Sequence, residues 1–416
     1  MKIVTQLSLF DDMELGDLEK LTLVMENLPD EELLKALNKR REKGGAGYTN
    51  ESLWIAFIAK FVFQHPTIET LIRELRRNSQ LRKICGFEPW TDSKGATHLV
   101  PGSSTFSRFI SRLMEYENEM KKIIQALIRT MYELIPDFGE TCAIDGKIIK
   151  TYASSFKKEK SKDRRADNDA SYTAKTYTSA DGKTTTPNFF YGYRLHLLCD
   201  CKYELPVAYT VTPANEGEIP VAKSFLFQNE FPYFKRMKYF LGDRGYDDTD
   251  LIERLEEKDI TVLIPNRYTW QNETTRQYLE TDLIYDQEGN VYYVDDAGKE
   301  HLLRYAGYDR YTDSLRYTFK YKGSNNKVFR IKREENLRIF PKISRSSKKY
   351  KRLYKQRTAV ERINGRLDRD FMFENHTIRG LSKMTLYVNM SFMISLGFAK
   401  GKILEKDVSN LASWVA

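Results

Sequence analysis

The segment CAIDGKIIK, residues 142–150, is a mostly apolar run that carries one acidic residue, Asp145. Its alternating apolar and β-branched residues predict a strand. Four later segments have the same strand-like pattern: YGYRLHLLCD (191–200), ELPVAYTVTP (204–213), KYFLGDRGY (238–246) and TVLIPN (261–266). Two segments with helical spacing lie between the later strands: IPVAKSFLFQNE (219–230) and DTDLIERLEEKD (248–259). Strands that alternate with helices predict an α/β core.

Outside this core the residue composition of the sequence changes. Residues 268–335 contain ten tyrosines and the turn sequences QEGN, DDAGK and KGSNN, which predict short strands. The polar, basic segment 157–186 predicts a mobile loop. The predicted organisation has four parts: an N-terminal all-helical domain (1–135), the α/β domain (136–267 and 336–402), a β-rich insertion (268–335) and a C-terminal tail (403–416).

One N-terminal helix has a basic face. The segment SSTFSRFISRL follows Pro101 and Gly102, so Ser103 or Ser104 is expected to cap it. Arg108 and Arg112 are four residues apart and share a face, which suits DNA binding by a short helix. The alternative is a plain helical domain with a solvated arginine face, and this stretch by itself favours that alternative.

Charge and cysteine content narrow the class of protein. The chain of 416 residues has 67 Lys or Arg against 58 Asp or Glu, and residues 342–357 contain eight Lys or Arg without an acid. Such a run predicts a phosphate-facing surface or a solvated face. The four cysteines have neither zinc-finger nor disulfide-framework spacing, and the start has no signal-peptide pattern, so a cytoplasmic protein is expected. Residues 381–398 predict a packed helix rather than a membrane span.

Three acidic residues stand out by position. Asp145 lies in the first strand, Asp243 follows the buried strand FLGD, and Glu361 lies in YKQRTAVERINGRLDRDF (354–371), which predicts a helix. Clustered carboxylates repel each other unless divalent cations compensate them, and three could hold two Mg²⁺ or Mn²⁺ ions beside a phosphodiester. Taken singly, each has an ordinary alternative as a turn residue, a cap or a surface ion pair.

The helix of residues 354–371 has two distinct faces. Tyr354, Arg357, Glu361 and Asp368 are spaced along one face. The adjacent apolar stripe consists of Val360, Ile363, Leu367 and Phe371. The stripe is expected to dock on the sheet and leave the charged face for a ligand. Gly365 costs about 1 kcal/mol relative to alanine here, which suggests close approach by a backbone or simply a tolerated glycine.

At these residues the sequence resembles the DDE transposases of bacterial insertion sequences, in the group whose catalytic glutamate lies in a Tyr-x2-Arg-x3-Glu-x6-Lys signature. Tyr354, Arg357 and Glu361 match it, whereas Asp368 stands where the signature has lysine. The segments AIDGK, YGYRLHLLCD, LPVAYTVTPANEGEIP, FLGDRGYDDTDLIERL, VLIPNR and VERINGRL resemble the family's sequence in the family's order.

The resemblance implies an RNase H-like catalytic core in which Asp145, Asp243 and Glu361 are the catalytic residues and hold two Mg²⁺ or Mn²⁺ ions. It implies cleavage at the ends of an insertion sequence and strand transfer. The implied partner is double-stranded DNA, both terminal inverted repeats and target, bound by a homodimer in a synaptic complex at the bacterial nucleoid. The implied phosphate-contacting residues are Tyr354, Arg357, Arg366, Arg369, Lys147 and Arg244.

Two other functions stay open. A nuclease of the same fold would cut DNA without joining ends, and a regulator derived from a transposase would bind DNA without chemistry. Trp270 in the insertion either stacks on a flipped base, as in some relatives, or packs within the insertion, which is the favoured interpretation. His196 is interpreted as a core residue, because the carboxylates suffice for a metal site.

Overall fold

The computed structural model describes residues 17–39, 48–92, 95–153, 166–178, 185–227, 232–319 and 327–413. The N-terminal part is helical apart from one small hairpin. Its elements are α1 (Asp17–Glu26), α2 (Glu31–Lys39), α3 (Asn50–Val62), α4 (Ile68–Arg77), α5 (Ser79–Ile84), β1 (Trp90–Thr91), β2 (Thr97–His98), α6 (Ser103–Glu115) and α7 (Glu117–Leu134).

The starts of these helices follow local capping chemistry. At α4, the Thr67 and Thr70 side chains cap each other's backbone N–H groups. At α6, the expected serine cap is wrong, because the capping residue is Gly102, which has no side chain to accept a bond. Ser103 instead lies in the first turn, and its hydroxyl donates to Glu69 Oε1 at 2.8 Å. A tertiary hydrogen bond therefore replaces the local cap.

The central sheet follows. Its elements are β3 (Thr141–Lys150), β4 (Ser171–Thr178), β5 (Thr185–Asp200), β6 (Pro206–Pro213), α8 (Glu218–Phe227), β7 (Tyr239–Leu241), α9 (Thr249–Glu256) and β8 (Thr261–Leu263). β5 pairs antiparallel with β3, β4 and β6, whereas β7 is parallel to both β3 and β8. The strands predicted from the sequence all form, and the mixed sheet confirms the α/β class for this part of the chain.

The polar segment 157–186 is not a loop throughout. Residues 171–178 form β4, which pairs antiparallel with residues 185–192 of β5. The expectation of a mobile loop is wrong there, because SYTAKTYT is rich in β-forming residues and finds a partner in the long β5. Residues 166–170 are described and lie outside any helix or strand, with Asp167 and Ala170 buried. Residues 157–165 and 179–184 lie outside the described residues.

A second region of strands lies between β8 and the last helices. These strands are β9 (Thr275–Gln277), β10 (Leu283–Asp286), β11 (Val291–Val294), β12 (Glu300–Leu302), β13 (Arg304–Asp309), β14 (Ser314–Phe319) and β15 (Lys327–Lys332). They form two antiparallel sheets, β12-β11-β10-β9 and β13-β14-β15. Tyrosines, leucines and Phe340 give these sheets a small hydrophobic core of their own.

Three helices follow the β-rich region: α10 (Lys348–Tyr354), α11 (Thr358–Asp370) and α12 (Leu381–Leu404). The basic segment 342–357 contains the first of them. A 3₁₀ turn, Lys355–Arg357, separates α10 from α11, so the single helix expected over 354–371 is wrong. The apolar stripe is confirmed, since Val360, Ile363, Leu367 and Phe371 are all buried. The close approach expected at Gly365 is wrong, because a Cβ there would meet nothing within 4 Å.

One hydrophobic core joins the helical part to the central sheet. α12 packs against α1, α3, α7 and β6, and the Tyr209 hydroxyl on β6 donates to the buried Asn389 on α12 at 2.7 Å. This packing confirms that residues 381–398 form a packed helix. In the part of the chain that the structure describes, no helix has the length and apolarity needed to cross a membrane.

Candidate active site

The backbone register brings two of the three acidic residues together. β3 and β7 are parallel, with Cys142 opposite Phe240 and Ala143 opposite Leu241. The same register continued by two residues sets Asp145 beside Asp243, where β7 has ended. Parallel strands present their carboxyl ends at one edge of a sheet, where ligands of open α/β sheets bind. Asp145 lies midway along β3, which continues to Lys150, and the register sets it beside the residue position just beyond the end of β7 that Asp243 occupies.

Asp145 is half-buried and tied to helix α11. Its Oδ2 accepts a hydrogen bond from the side-chain amide of Asn364 at 3.0 Å. Burial and the negative charge of Asp243 raise the pKa of Asp145, while the positive charge of Arg357 opposes this rise. Asp145, Asp243 and Arg357 therefore lie within electrostatic reach of one another.

Asp243 is fixed by its own main chain. Its Oδ1 accepts a hydrogen bond from the N–H of Gly245 at 2.7 Å and caps the 3₁₀ turn Arg244–Tyr246. The cap interpretation of this residue is thus confirmed, and it does not compete with a second role. The cap holds the carboxylate at the strand end through Oδ1 and does not use Oδ2.

Glu361 is held differently. It lies in the first turn of α11, and its carboxylate is 53% exposed and accepts a hydrogen bond from Arg357, four residues earlier. Against the effect of burial, the neighbouring Tyr354, Glu361, Asp145 and Asp243 raise the pKa of Arg357. Arg357 therefore stands between the glutamate and the two aspartates as their shared countercharge.

The donor chemistry suits a hard divalent cation, but the three acids are not gathered around one point. Across the described ranges, no group of three or more His, Cys, Asp or Glu side chains is arranged to hold a metal ion. The reason lies in the contacts of Glu361, which is paired with Arg357 instead of turning toward Asp145. Asp145 and Asp243 supply oxygen donors of the kind that Mg²⁺ and Mn²⁺ prefer.

The basic residues proposed from the sequence occupy several ion pairs. Lys147 Nζ lies 2.6 Å from Asp368 Oδ2, so the acid that replaces the signature's lysine pairs with a lysine on β3. Arg366 pairs with Glu204, and Arg369 Nε lies 2.6 Å from Asp370 Oδ1. These pairings place the residues on or beside α11, but with carboxylates as their present partners.

Arg244 and Tyr354 lie close to the aspartates in the chain or in space. Arg244 is exposed, and its guanidinium lies 4.8 Å from the centre of the Tyr268 ring. Tyr354 ends α10, and its ring stacks on Tyr350 with centroids 5.6 Å apart. Burial raises the pKa of Tyr354, and the charge of Asp243 adds to that rise. Both residues thus border the edge that carries Asp243.

Arg108 and Arg112 lie on α6, away from the sheet edge in the chain. Arg108 is exposed, and the Arg112 guanidinium lies 5.8 Å from the centre of the Phe109 ring. Both arginines line a broad surface depression with Tyr48, Leu53 and Ser111. The helix therefore presents both side chains to one surface, as their spacing predicts.

Two residues have the structural roles that were favoured for them. His196 is fully buried on β5, its Nε2 lies 3.0 Å from the Thr212 hydroxyl, and burial lowers the pKa of the ring to about 4. Trp270 packs edge-on against Tyr285, and the Arg276 guanidinium covers its ring at 4.3 Å. His196 is therefore closed to a metal ion, whereas Trp270 is partly buried by its contacts within the β-rich region.

Three polar residues near the aspartates were missed from the sequence: Arg194, Glu218 and Asn364. Asn364 had a usable signal, because it lies three residues after Glu361 on the same helix and so faces the same way. Glu218 and Arg194 had no such signal in the sequence, because their proximity to the aspartates depends on how α8 packs and on how β5 pairs within the sheet.

Residues 136–396 match the family model of the transposase DDE domain, which is more than half of the chain. The chain belongs to the transposase DDE domain family. That membership supports a transposase function and the use of divalent metal ions, as is general in the family.

Solved structures and curated proteins add little to the family match. Among solved structures, a cryo-electron microscopy structure of the piggyBac transposase synaptic complex with hairpin DNA is similar, with a TM-score of 0.37 and 12% identity. The similarity covers 96% of this chain and 78% of that chain. A comparison with curated proteins finds no match.

Proposed function

We propose that this protein moves a bacterial insertion sequence, by metal-dependent cleavage at its terminal inverted repeats and transfer of the freed strands into target DNA. The observation that carries the proposal is the parallel register of β3 and β7, which sets Asp145 beside Asp243 under the helix that bears Glu361. The strand order β6-β5-β3-β7-β8 supports an RNase H-like core for residues 136–267 and 336–402.

Asp145, Asp243 and Glu361 are the residues that we propose to hold two Mg²⁺ or Mn²⁺ ions. When bound, such ions activate the attacking water or 3′-hydroxyl and stabilise the leaving oxygen of the phosphodiester. Glu361 joins the aspartates when its ion pair with Arg357 opens. That exposed pair is weak, worth about 0–1 kcal/mol, so the binding of cation and DNA can replace it.

Arg357 gains a new partner in the same exchange. Released from Glu361, its guanidinium can bind a DNA phosphate with two parallel hydrogen bonds. The hydroxyl of Tyr354, one turn earlier, donates a hydrogen bond to the same DNA backbone. Lys147, Arg244, Arg366 and Arg369 extend the phosphate-binding surface along the sheet edge and α11. In this proposal the carboxylates that now pair with Lys147, Arg366 and Arg369 occupy the places of phosphates.

The remaining regions are proposed to serve assembly. The N-terminal helices (1–135), through Arg108 and Arg112, bind the terminal repeats, and the β-rich region (268–335) flanks the site before α11. Residues 403–416 form the C-terminal tail. Two protomers join two element ends in a synaptic complex on double-stranded DNA, in the cytoplasm at the nucleoid.

The test is Mg²⁺-dependent cleavage of a DNA fragment that carries this gene with its native flanks. Wild type is expected to cut at two matching repeats, and Glu361→Gln to bind the DNA without cutting it. Glu374→Gln, an exposed glutamate beyond the same helix, is the matched control and is expected to cut normally.

Three other results would contradict the proposal. Cutting that ignores the repeats would indicate the plain nuclease. Cutting that survives Glu361→Gln would remove Glu361 from the site. Binding without cutting by any variant, with Mg²⁺ or Mn²⁺, would indicate the silent regulator.

A further inference from the structure

A fourth carboxylate reaches the same edge of the sheet. Glu218 is the first residue of α8, five residues after the end of β6, and its side chain is 24% exposed. None of the predicted site residues is near it in the sequence. Its carboxylate nevertheless lies beside Gly146 and Gly245, which follow Asp145 by one residue and Asp243 by two.

Two glycines leave the space that the Glu218 carboxylate fills. A Cβ on Gly146, next to Asp145, would come closer than 3.0 Å to Glu218 Oε1. A Cβ on Gly245 would lie 2.8 Å from Glu218 Oε2 and 2.8 Å from Asp243 Oδ1. Neither glycine has a positive φ, so the backbone alone does not require glycine there. The carboxylate is thus wedged between the Asp145 strand and the Asp243 turn.

An arginine keeps Glu218 in that position. Arg194 on β5 lies 3.3 Å from Glu218 Oε1, and its side chain is only 13% exposed. The same guanidinium also donates a hydrogen bond to the Thr173 hydroxyl on β4 at 3.0 Å. Because two strands fix the arginine, the ion pair restrains the carboxylate as well as neutralising it.

A buried hydroxyl faces the same gap. Tyr246 is fully buried, and its hydroxyl has no hydrogen-bond partner among the described residues. Burial raises the pKa of Tyr246, followed by the charges of Glu218, Asp145 and Asp243 in that order. The phenol therefore lies within electrostatic reach of all three carboxylates.

We propose that Glu218 is a positioning residue of the candidate active site, a role that rests on the proposed function. Held by Arg194, it sets the separation between the Asp145 strand and the Asp243 turn, so that both aspartates can bind one divalent cation. Glu218 acts through its shape and its restraint, since it bonds neither aspartate directly. Residues that orient metal ligands in this way typically change metal affinity 10- to 100-fold when they are removed.

The test measures Mn²⁺ binding to the full-length protein by electron paramagnetic resonance, without DNA. Glu218→Ala is expected to weaken Mn²⁺ binding about tenfold or more. Glu216→Ala, an exposed glutamate on the same connection, is the matched control and is expected to bind as wild type does. Asp145→Asn serves as the reference for loss of a ligand.

A double-mutant cycle separates positioning from a role in stabilising α8. Gly146→Ala keeps every charge but places a methyl group where Glu218 now lies, so it is expected to weaken Mn²⁺ binding as Glu218→Ala does. In the Glu218→Ala background the three atoms nearest to that methyl group, all in the Glu218 side chain beyond its Cβ, are gone. Gly146→Ala should then have no further effect on Mn²⁺ affinity.

Each outcome decides the proposal. Equal binding by Glu218→Ala and Glu216→Ala, while Asp145→Asn binds weakly, would overturn the role of Glu218 and leave the proposed function intact. Independent, additive losses from Gly146→Ala and Glu218→Ala would also overturn it. Unchanged binding by Asp145→Asn would overturn both the metal site and the inference. Thermal denaturation without metal verifies that each variant is folded; a misfolded Glu218→Ala leaves Gly146→Ala as the deciding variant.

Discussion

The two halves of the candidate site are built by different means. On the sheet, main-chain pairing sets Asp145 beside Asp243, and the Gly245 N–H holds Asp243 directly. On α11, an exposed side-chain ion pair holds Glu361 to Arg357. Strand pairing is cooperative and persists when ligands change, whereas an exposed ion pair exchanges readily. The difference suggests a preorganised sheet half and a helix half that responds to cation and DNA.

The largest effect is expected on the sheet half. Asp243→Asn keeps the cap on the 3₁₀ turn, because asparagine also accepts from the Gly245 N–H, but it removes the charge. We expect DNA cleavage to fall about 10³-fold or more, since a metal supplies several kcal/mol and each ~1.4 kcal/mol is tenfold. Single-turnover cleavage measures this, with the exposed Asp259→Asn as control. Cleavage near the wild-type rate would remove Asp243 from the site.

The helix half predicts a split between metal binding and chemistry. Arg357→Gln frees Glu361, so Mn²⁺ affinity without DNA should rise about two- to fivefold, the worth of an exposed pair. DNA cleavage should nevertheless fall about 10- to 100-fold, because a charged hydrogen bond to phosphate, about 1.5–3 kcal/mol, is lost. Titration with Mn²⁺ and single-turnover cleavage measure the two quantities.

The matched control for that split is Arg352→Gln, which removes a basic residue in the last turn of α10 without touching Glu361. It should leave Mn²⁺ affinity unchanged. If Arg357→Gln lowers Mn²⁺ affinity instead, the pair with Glu361 supports metal binding, and the contrast between the two halves of the site is wrong.

A smaller effect is expected where α11 meets β3. Asp368→Asn releases Lys147 from its ion pair, so DNA affinity at low salt should rise about two- to fivefold. Lys147→Gln should weaken binding and reduce the slope of log affinity against log salt by about 1. Fluorescence anisotropy over a salt series measures both, with Glu374→Gln as control. Identical salt slopes for wild type and Lys147→Gln would exclude this lysine from the DNA surface.

The smallest effect concerns α11 alone. Gly365→Ala should raise the free energy of unfolding by about 0.5–1 kcal/mol, because alanine is the better helix former and its Cβ would meet nothing within 4 Å. Chemical denaturation measures this, and cleavage should stay unchanged. A loss of cleavage with unchanged stability would mean that bound DNA approaches this face of the helix.

Much of the fold was readable from the sequence. The apolar stripe of Val360, Ile363, Leu367 and Phe371 is buried as predicted, and the core strands form where their patterns lie. Two predictions were wrong because contacts with residues distant in the sequence outweighed the local sequence pattern. Residues 171–178 form β4 because they pair with the long strand β5. Ser103 does not cap α6, and its hydroxyl donates a hydrogen bond to Glu69 instead.

The sequence by itself determined the elements that carry Asp145, Asp243 and Glu361, because hydrophobic periodicity and turn chemistry act over neighbouring residues. Only the tertiary structure decided which side chains surround these acids. The Lys147–Asp368 pair joins residues on β3 and α11, and the Glu218–Arg194 pair fills a gap beside two glycines. Such contacts depend on strand register and helix packing, which bring together residues that no local pattern connects.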